Sequence, residues 1–328
     1  MPMKYLGNKS RLENFLNPFF KIENNSKKNV LDLFAGTGNV SYMLTKNGYD
    51  VDSVDILELS KVYTFVRTNT TPQIENDIIV DIENTVKESF ITNHYSDKVN
   101  VNIFKEDIAK HIDGSILKLN EIKNKLTVEQ YYFILNSIIE ASDFRSNIMG
   151  SYESYYKKGW RTQALKSWKL EIFKNKNLTN NNFYVSSIND FFVSNTKIYD
   201  LVYADPPYNS RNYSKVFHVL ETIATNYNGK TKGAVNTPTE EKNKSPFNSK
   251  REVKNGFKSL FENVSKITDK FLLSYSNEGI IKINEIIEIS KEYFTNHTIN
   301  YIDYRKFNTN KKNTKNNKVN EYLIEFKK

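Results

Sequence analysis

Asp205-Pro206-Pro207-Tyr208 put a carboxylate, a constrained carbonyl and an aromatic ring at one corner of the chain. They close an apolar run of Ile198, Tyr199, Leu201, Val202, Tyr203 and Ala204, which reads as a buried strand ending at a rigid turn. In open α/β sheets the carboxyl edge of the strands is where ligands bind. Pro206 and Pro207 lack N–H donors and stiffen the turn, so the Pro206 carbonyl keeps its direction. Two acceptors beside a flat ring suit an amine attached to an aromatic ring. The lone pair of such an amine is delocalised, and acceptors on both N–H bonds favour a tetrahedral nitrogen that can attack. That is catalysis by orientation and electrostatics, with no covalent intermediate. An ordinary strand exit uses the same residue types, so the corner needs partners elsewhere in the chain.

Such partners exist. Phe34-Ala35-Gly36-Thr37-Gly38 follows the strand-like Asn29–Phe34 and precedes Val40, Met43 and Leu44 at helical spacing. Glycines there let a ligand approach the backbone, and helix N-terminal amides favour an anionic group. The turn is neither GxGxxG nor a P-loop, which points to a smaller nucleoside ligand rather than a dinucleotide or ATP. Asp55 ends the next strand, Asp50–Ile56, about 20 residues after Gly36. A carboxylate there can accept both hydroxyls of a ribose. The strand–turn–helix–strand order is the opening of a nucleotide-binding α/β sheet.

The elements that position these groups can be read in outline. Residues 61–182 are poor in glycine and dominated by helical periodicity, with a capping box at Thr127–Gln130. Strands resume at Phe183–Ile188 and at the run before Asp205. Residues 228–255 hold too few apolar side chains to pack and read as a long mobile loop within the sheet domain. Phe257 to Ile267 forms an amphipathic helix, Phe271–Ser276 another strand, and Thr298–Tyr304 with Val319–Phe326 a final hairpin around the basic tip Arg305–Lys318. The expected domains are therefore 1–60 with 183–328, and a helical insertion over 61–182.

Composition narrows the function classes. The 328 residues carry a net charge of +9, which suits a polyanionic partner. There is no cysteine, which removes disulfides, thiolate catalysis and cysteine-based zinc sites. The four histidines are scattered, so no metal is expected. No apolar run approaches the roughly 18 residues that span a bilayer, and no leader is visible, so no membrane partner and a cytoplasmic location are expected.

With these motifs in view, the chain resembles the Dam-like alpha group of N6-adenine-specific DNA methyltransferases. The resemblance rests on Lys4-Tyr5-Leu6-Gly7-Asn8-Lys9-Ser10-Arg11-Leu12, on the glycine turn, on the helical insertion and then Asp205–Tyr208, in that order. DPPYNSRNY followed by FHVLET, the SYESYYKK stretch and the SYSNEG strand end look closer still to restriction-modification methylases of that group. The resemblance implies a Rossmann-like seven-stranded sheet that binds S-adenosyl-L-methionine, with the helical insertion as target-recognition domain. It implies that Tyr5, Gly7 and Lys9 cover the methionine end of that cofactor, and that Asp32, Phe34, Gly36 and Gly38 hold the methionine moiety. Asp55 would take the ribose hydroxyls, with Ile56 on the adenine. Asp190 would accept from the adenine amine, with Phe191 beside the ring. Asp205, Pro206, Pro207 and Tyr208 would be catalytic, Tyr208 stacking on an adenine flipped out of double-stranded DNA.

For DNA contact, Tyr156, Lys157, Lys158 and Arg161 within an aromatic-basic stretch, and Arg211 just past the catalytic corner, are the candidates. Packing aromatics, a turn salt bridge and a solvated hairpin tip are their ordinary alternatives. An N4-cytosine methyltransferase, an RNA methyltransferase and a DNA- and cofactor-binding protein without catalysis are the rival functions. Aspartate at the head of the catalytic motif disfavours the first, since serine is commoner there in the cytosine enzymes. A cognate restriction endonuclease, without a physical complex, and a monomer or weak dimer complete the expectations.

Overall fold

The computed structural model describes residues 9–21, 28–176, 181–240, 245–305 and 318–328. The chain divides into two compact units, one of residues 9–56, 181–212 and 243–328, the other of residues 1–8, 57–180 and 213–242.

The first unit is built on a seven-stranded sheet. Its strands are β1 (Asn29–Leu33), β2 (Asp50–Asp55), β3 (Asn182–Val185), β4 (Leu201–Ala204), β7 (Lys270–Ser276), β8 (Asn296–Arg305) and β9 (Lys318–Lys327). Two short strands, β5 (Thr231–Lys232) and β6 (Thr237–Pro238), form a separate ribbon in the other unit. The sheet order is β3-β2-β1-β4-β7-β9-β8. The first five strands run parallel, and β9 enters antiparallel between β7 and β8. This is the mixed seven-stranded α/β sheet with a terminal antiparallel hairpin that the sequence implies.

Both faces are buried, which is why β1, β4 and β7 read as nearly continuous apolar runs. On one face Leu12, Leu16 and Phe20 from the first helical segments, and Val40, Met43 and Leu44 from helix Asn39–Lys46, pack against Val30, Val51, Leu201, Tyr203, Leu272 and Leu323. On the other, Phe257, Leu260, Phe261 and Val264 of helix Val253–Ile267 pack on Leu31, Leu33, Val202, Phe271 and Leu273. Side chains alternate along a strand, so register decides what shares a face. Asp32 pairs with Ser53 on β2 and Tyr203 on β4, and Ala204 pairs with Leu273 on β7. The first face therefore carries Asp32, Asp55, Tyr203, Asp205, Ser274 and Glu321 toward the carboxyl edge of the parallel strands.

The second unit is mainly helical. Helices Glu58–Thr68, Glu106–Ile122 and Val128–Arg145 are its longest members. The capping box at the last is present: Gln130 N donates to Thr127 Oγ1 at 3.2 Å, and Thr127 N to Gln130 Oε1 at 2.9 Å.

Four expectations are corrected. Ile198 is 66% exposed and precedes β4, because the strand pairs only from Leu201. The Phe183–Ile188 strand stops at Val185, where Ser187 caps helix Ile188–Ser194 by accepting from Asp190 N. Residues 213–242 belong to the helical unit rather than to the sheet domain. Glu221 there accepts from the backbone N–H groups of Glu58 and Leu59 at 3.2 and 2.9 Å, satisfying the start of helix Glu58–Thr68. The expected long loop likewise divides. Its first part forms the β5–β6 ribbon, with Asn236 bonded to His94 O, and its last part begins helix Val253–Ile267.

Candidate active site

The glycine turn leaves β1 through positive φ angles of 64° at Phe34, 55° at Gly36 and 72° at Gly38. Glycine adopts these without penalty, whereas Phe34 does so at a cost of order 1 kcal/mol. The Phe34 ring is held edge-on against Phe247 at 5.2 Å, which helps fix that conformation. Gly38 N donates to Ala35 O at 2.8 Å, and Gly38 sits at the N-cap of helix Asn39–Lys46. Gly36 N donates to Asp55 Oδ2 at 2.9 Å, so turn and strand-end acid form one structure. Ile56 follows, half-buried.

Asp32 lies beneath the turn, 1% exposed, and accepts from the Ser41 hydroxyl, which also meets Ser53 Oγ at 2.9 Å. Burial pushes its carboxyl up to about 7, against the pull of the Ser41 hydrogen bond; Asp205 and Asp55 add to the rise. A buried acid in that position carries a proton near neutrality.

Asp205 follows directly on β4, its N–H donating to Leu33 O at 3.3 Å. Its Oδ1 lies 3.1 Å from Lys9 Nζ. Lys9 also pairs with Glu321 on β9, whose Oε1 accepts from Ser274 Oγ at 2.6 Å. Burial raises the Asp205 carboxyl to about 6; the Lys9 ammonium opposes that rise and Glu321 adds to it. Burial alone would weaken the Lys9 ammonium, but Asp205 and Glu321 outweigh it and hold Lys9 well above its ordinary value. Pro206 is buried, and Tyr208 is half-buried against the second core cluster, with its carbonyl accepting from Ile280 N at 2.9 Å. The next residues are pinned by Asn248, whose amide donates to Asn209 O at 2.7 Å and Arg211 O at 3.0 Å.

The structure thus gathers Asp32, Phe34, Gly36, Gly38, Asp55, Lys9 and Asp205 in one unit. The Lys9 ammonium, expected at the methionine end of the cofactor, stands between the Asp205 and Glu321 carboxylates. Tyr5 and Gly7 lie outside the described residues. Asp190 is exposed and accepts from Ser187 Oγ at 2.6 Å, acting as partner to a helix cap. Phe191 is only 2% exposed and packs on Tyr184 and Phe192 at 5.2 and 5.6 Å, which makes it core rather than an open stacking face. Glu321 and Ser274 were not legible as site residues. The available signal was an acid sharing the inward face of its strand with Leu323.

In the helical unit the candidate DNA residues diverge. The segment from Ser146 to Arg161 is irregular rather than helical. Arg161 turns inward, its guanidinium donating to Ser146 O at 3.0 Å and to Ile148 O, so it holds the loop. Asn147 completes that framework with bonds to the carbonyls of Asn102, Tyr156 and Gly159. Tyr152 is buried, its hydroxyl donating to Asp143 at 2.8 Å. Tyr156, Lys157 and Lys158 remain exposed on this frame, and Arg211 is exposed in the sheet unit. The interior of the basic tip, residues 306–317, lies outside the described residues.

Comparison with known proteins identifies the family. The family model for D12 class N6 adenine-specific DNA methyltransferases matches residues 5–289. The chain belongs to that family. It is 29% identical to the type II methyltransferase M.NlaIII of Neisseria lactamica, over 98% of both chains. It is 28% identical to the modification methylase LlaI of Lactococcus lactis subsp. lactis, over 99% of this chain and 55% of that protein. Identity to the type II methyltransferase M.FokI of Planomicrobium okeanokoites is 30%, over 99% and 53%. The chain spans about half the length of the latter two. Among solved structures, a SAM-dependent methyltransferase from Agrobacterium tumefaciens overlays with a TM-score of 0.38 at 9% identity, covering 98% of this chain and 61% of that one, a likeness too loose to bear on function. Among the described residues no helix is long and apolar enough to cross a membrane, and no cluster of ligating side chains could hold a metal ion.

Proposed function

We propose that this chain transfers a methyl group from S-adenosyl-L-methionine to N6 of adenine in duplex DNA, as the modification activity of a restriction-modification pair. The observation that carries the reading is Asp205, set at the carboxyl edge of the sheet on the same face as Asp32, Asp55 and the glycine turn, in a chain of this family. The modification and type II methylase names of the relatives support the restriction-modification setting.

The residues present fit the cofactor. Gly36 and Gly38, at positive φ, leave the turn without side chains where a ligand would approach. Asp55 is tied to that turn at a half-exposed strand end, suited to ribose hydroxyls. When bound, the cofactor supplies a methyl group on a positively charged sulfur. Asp205 and the Pro206 carbonyl each accept one N–H of the adenine amine, and Tyr208 offers its ring to the base. The nitrogen lone pair, freed from the ring, would take the methyl group that the cofactor supplies, and the nitrogen would then shed a proton. Asp205, whose half-buried carboxyl binds protons more readily than a surface aspartate, is suited to take it. The helical unit, with Tyr156, Lys157 and Lys158 outward, would contribute target recognition, with Arg211 on a phosphate of the sheet unit's DNA.

The test is to incubate the purified protein with duplex DNA and the methyl donor, digest to nucleosides and analyse by mass spectrometry. N6-methyladenine is the expected product. N4-methylcytosine without it, or methylation confined to RNA, would contradict the reading.

A further inference from the structure

Half-buried Asp205 and buried Lys9, Glu321 and Ser274 form a chain of charges and hydrogen bonds that the reaction above uses only at Asp205. Lys9 is 7% and Glu321 2% exposed. A buried carboxylate with no catalytic task is costly unless it is paired, and this one is paired twice, by the Lys9 ammonium and by the Ser274 hydroxyl. Its position follows from strand register. Glu321 pairs with Ser276 at the carboxyl end of β7, and β7 lies beside β4, which Asp205 directly follows. Lys9 enters from the segment Lys9–Leu12, which packs on the same face.

The arrangement poses a problem for the Asp205 carboxylate. Lys9 Nζ stands 3.1 Å from Oδ1, a site from which the carboxylate accepts hydrogen bonds. An arriving amine engages the same carboxylate and competes with the ammonium for it, so the ammonium needs a second partner if it is not to be stranded in a buried place. We propose that Glu321, braced by Ser274, is a positioning residue that shares the Lys9 ammonium with Asp205 and retains it when the substrate amine engages the Asp205 carboxylate. The inference rests on the amine-methylating role assigned to Asp205 above.

The groups facing Asp205 are Lys9, Tyr203 and Asp32 with Ser274 and Glu321 beyond them. Two of these can be altered with opposite consequences. Glu321→Gln removes a negative charge and leaves Lys9 with Asp205 alone. The Asp205 carboxylate then holds its proton less tightly, and the amine must displace an undivided ion pair. Ser274→Ala removes a donor from Glu321. The Glu321 carboxylate then draws Lys9 more strongly, and Asp205 holds its proton more tightly.

The experiment compares wild type, Glu321→Gln, Glu321→Asp and Ser274→Ala in two readouts. The first is the carbon-13 titration of the Asp205 carboxyl, assigned by its loss in Asp205→Asn, which needs no turnover. The expected midpoint falls by about one pH unit in Glu321→Gln and rises in Ser274→Ala, with Glu321→Asp near wild type. The second is methyl transfer to duplex DNA. Glu321→Gln should lower kcat by about tenfold or more with cofactor binding within about threefold of wild type, and Glu321→Asp should recover most of it. If Glu321→Gln does not fold, the Ser274→Ala titration carries the test. Unmoved midpoints in the folded variants overturn the proposal. Shifted midpoints in a protein that methylates no DNA would instead overturn the function assigned to Asp205 and leave the charge sharing intact.

Discussion

At the scale of single residues, function depends on what burial does to a few carboxyl groups. Asp205 and Asp32 sit under the sheet's carboxyl edge, where water is scarce and charge is costly. In the proposed reaction Asp205 must be ionised to accept from an amine, and burial raises it to about 6 while Lys9 restrains the rise. The sign is therefore fixed: activity is full above that value and falls as pH drops through it. The acid limb of kcat/KM, measured from pH 5 to 8 with saturating cofactor, should fall near 6 rather than near the 4 of a surface aspartate. A limb near 4 would mean that Asp205 is not the titrating acceptor. Asp205 itself was legible in the sequence because two prolines end an apolar run beside it. Its partners were not. Lys9 and Glu321 come from opposite ends of the chain, 312 residues apart, and meet only through sheet order.

Elements explain which motif readings carried into the structure. Strand–turn–helix signals are local, so β1, the glycine turn, β2 and the capping box could be placed from spacing alone. Charge and aromatic content are not local signals of function. Arg161 and the exposed Lys157 and Lys158 looked alike in sequence, yet the guanidinium of Arg161 is spent on backbone carbonyls of its own loop. A distinct prediction follows for each type. Lys157→Ala and Lys158→Ala should leave thermal stability unchanged and each reduce the salt dependence of DNA binding by about one unit of slope. Arg161→Ala should instead destabilise the protein by about 1–3 kcal/mol, by leaving buried carbonyls unsatisfied. Denaturation curves with salt-titrated binding isotherms check both. A reduced salt slope in Arg161→Ala at unchanged stability would reverse the assignment.

At the scale of the molecule, the sheet unit accepts a stability cost to keep acids buried. Asp32 has the clearest sign. Its carboxyl is raised to about 7, so the folded state binds a proton that the unfolded state releases near 4. Between those values stability falls as pH rises, with a slope of at most about 1.4 kcal/mol per pH unit from this group. Asp32→Asn, which keeps the shape without the charge, should therefore gain stability relative to wild type between pH 5 and pH 8 in urea titrations. An advantage that shrinks over that range would show that Asp32 is ionised at little cost. The division of the chain was the least legible feature at this scale. Residues 213–242 look like a continuation of the sheet domain in sequence, but Glu221 and Asn236 tie them to helices far earlier in the chain. Those pairings are side chain to backbone over long separations, which leave no periodicity to read.

The central claim is that Asp205 serves the substrate amine, accepting its N–H and the proton it sheds, rather than holding cofactor or DNA. Methyl transfer by Asp205→Ala, with cofactor and duplex DNA binding measured in parallel on the same preparation, addresses it most directly. The prediction is binding of both ligands within about tenfold of wild type and a loss of transfer of at least about a thousandfold. Transfer retained at a tenth of the wild-type rate or more would contradict the claim and move the chemistry to another part of the chain.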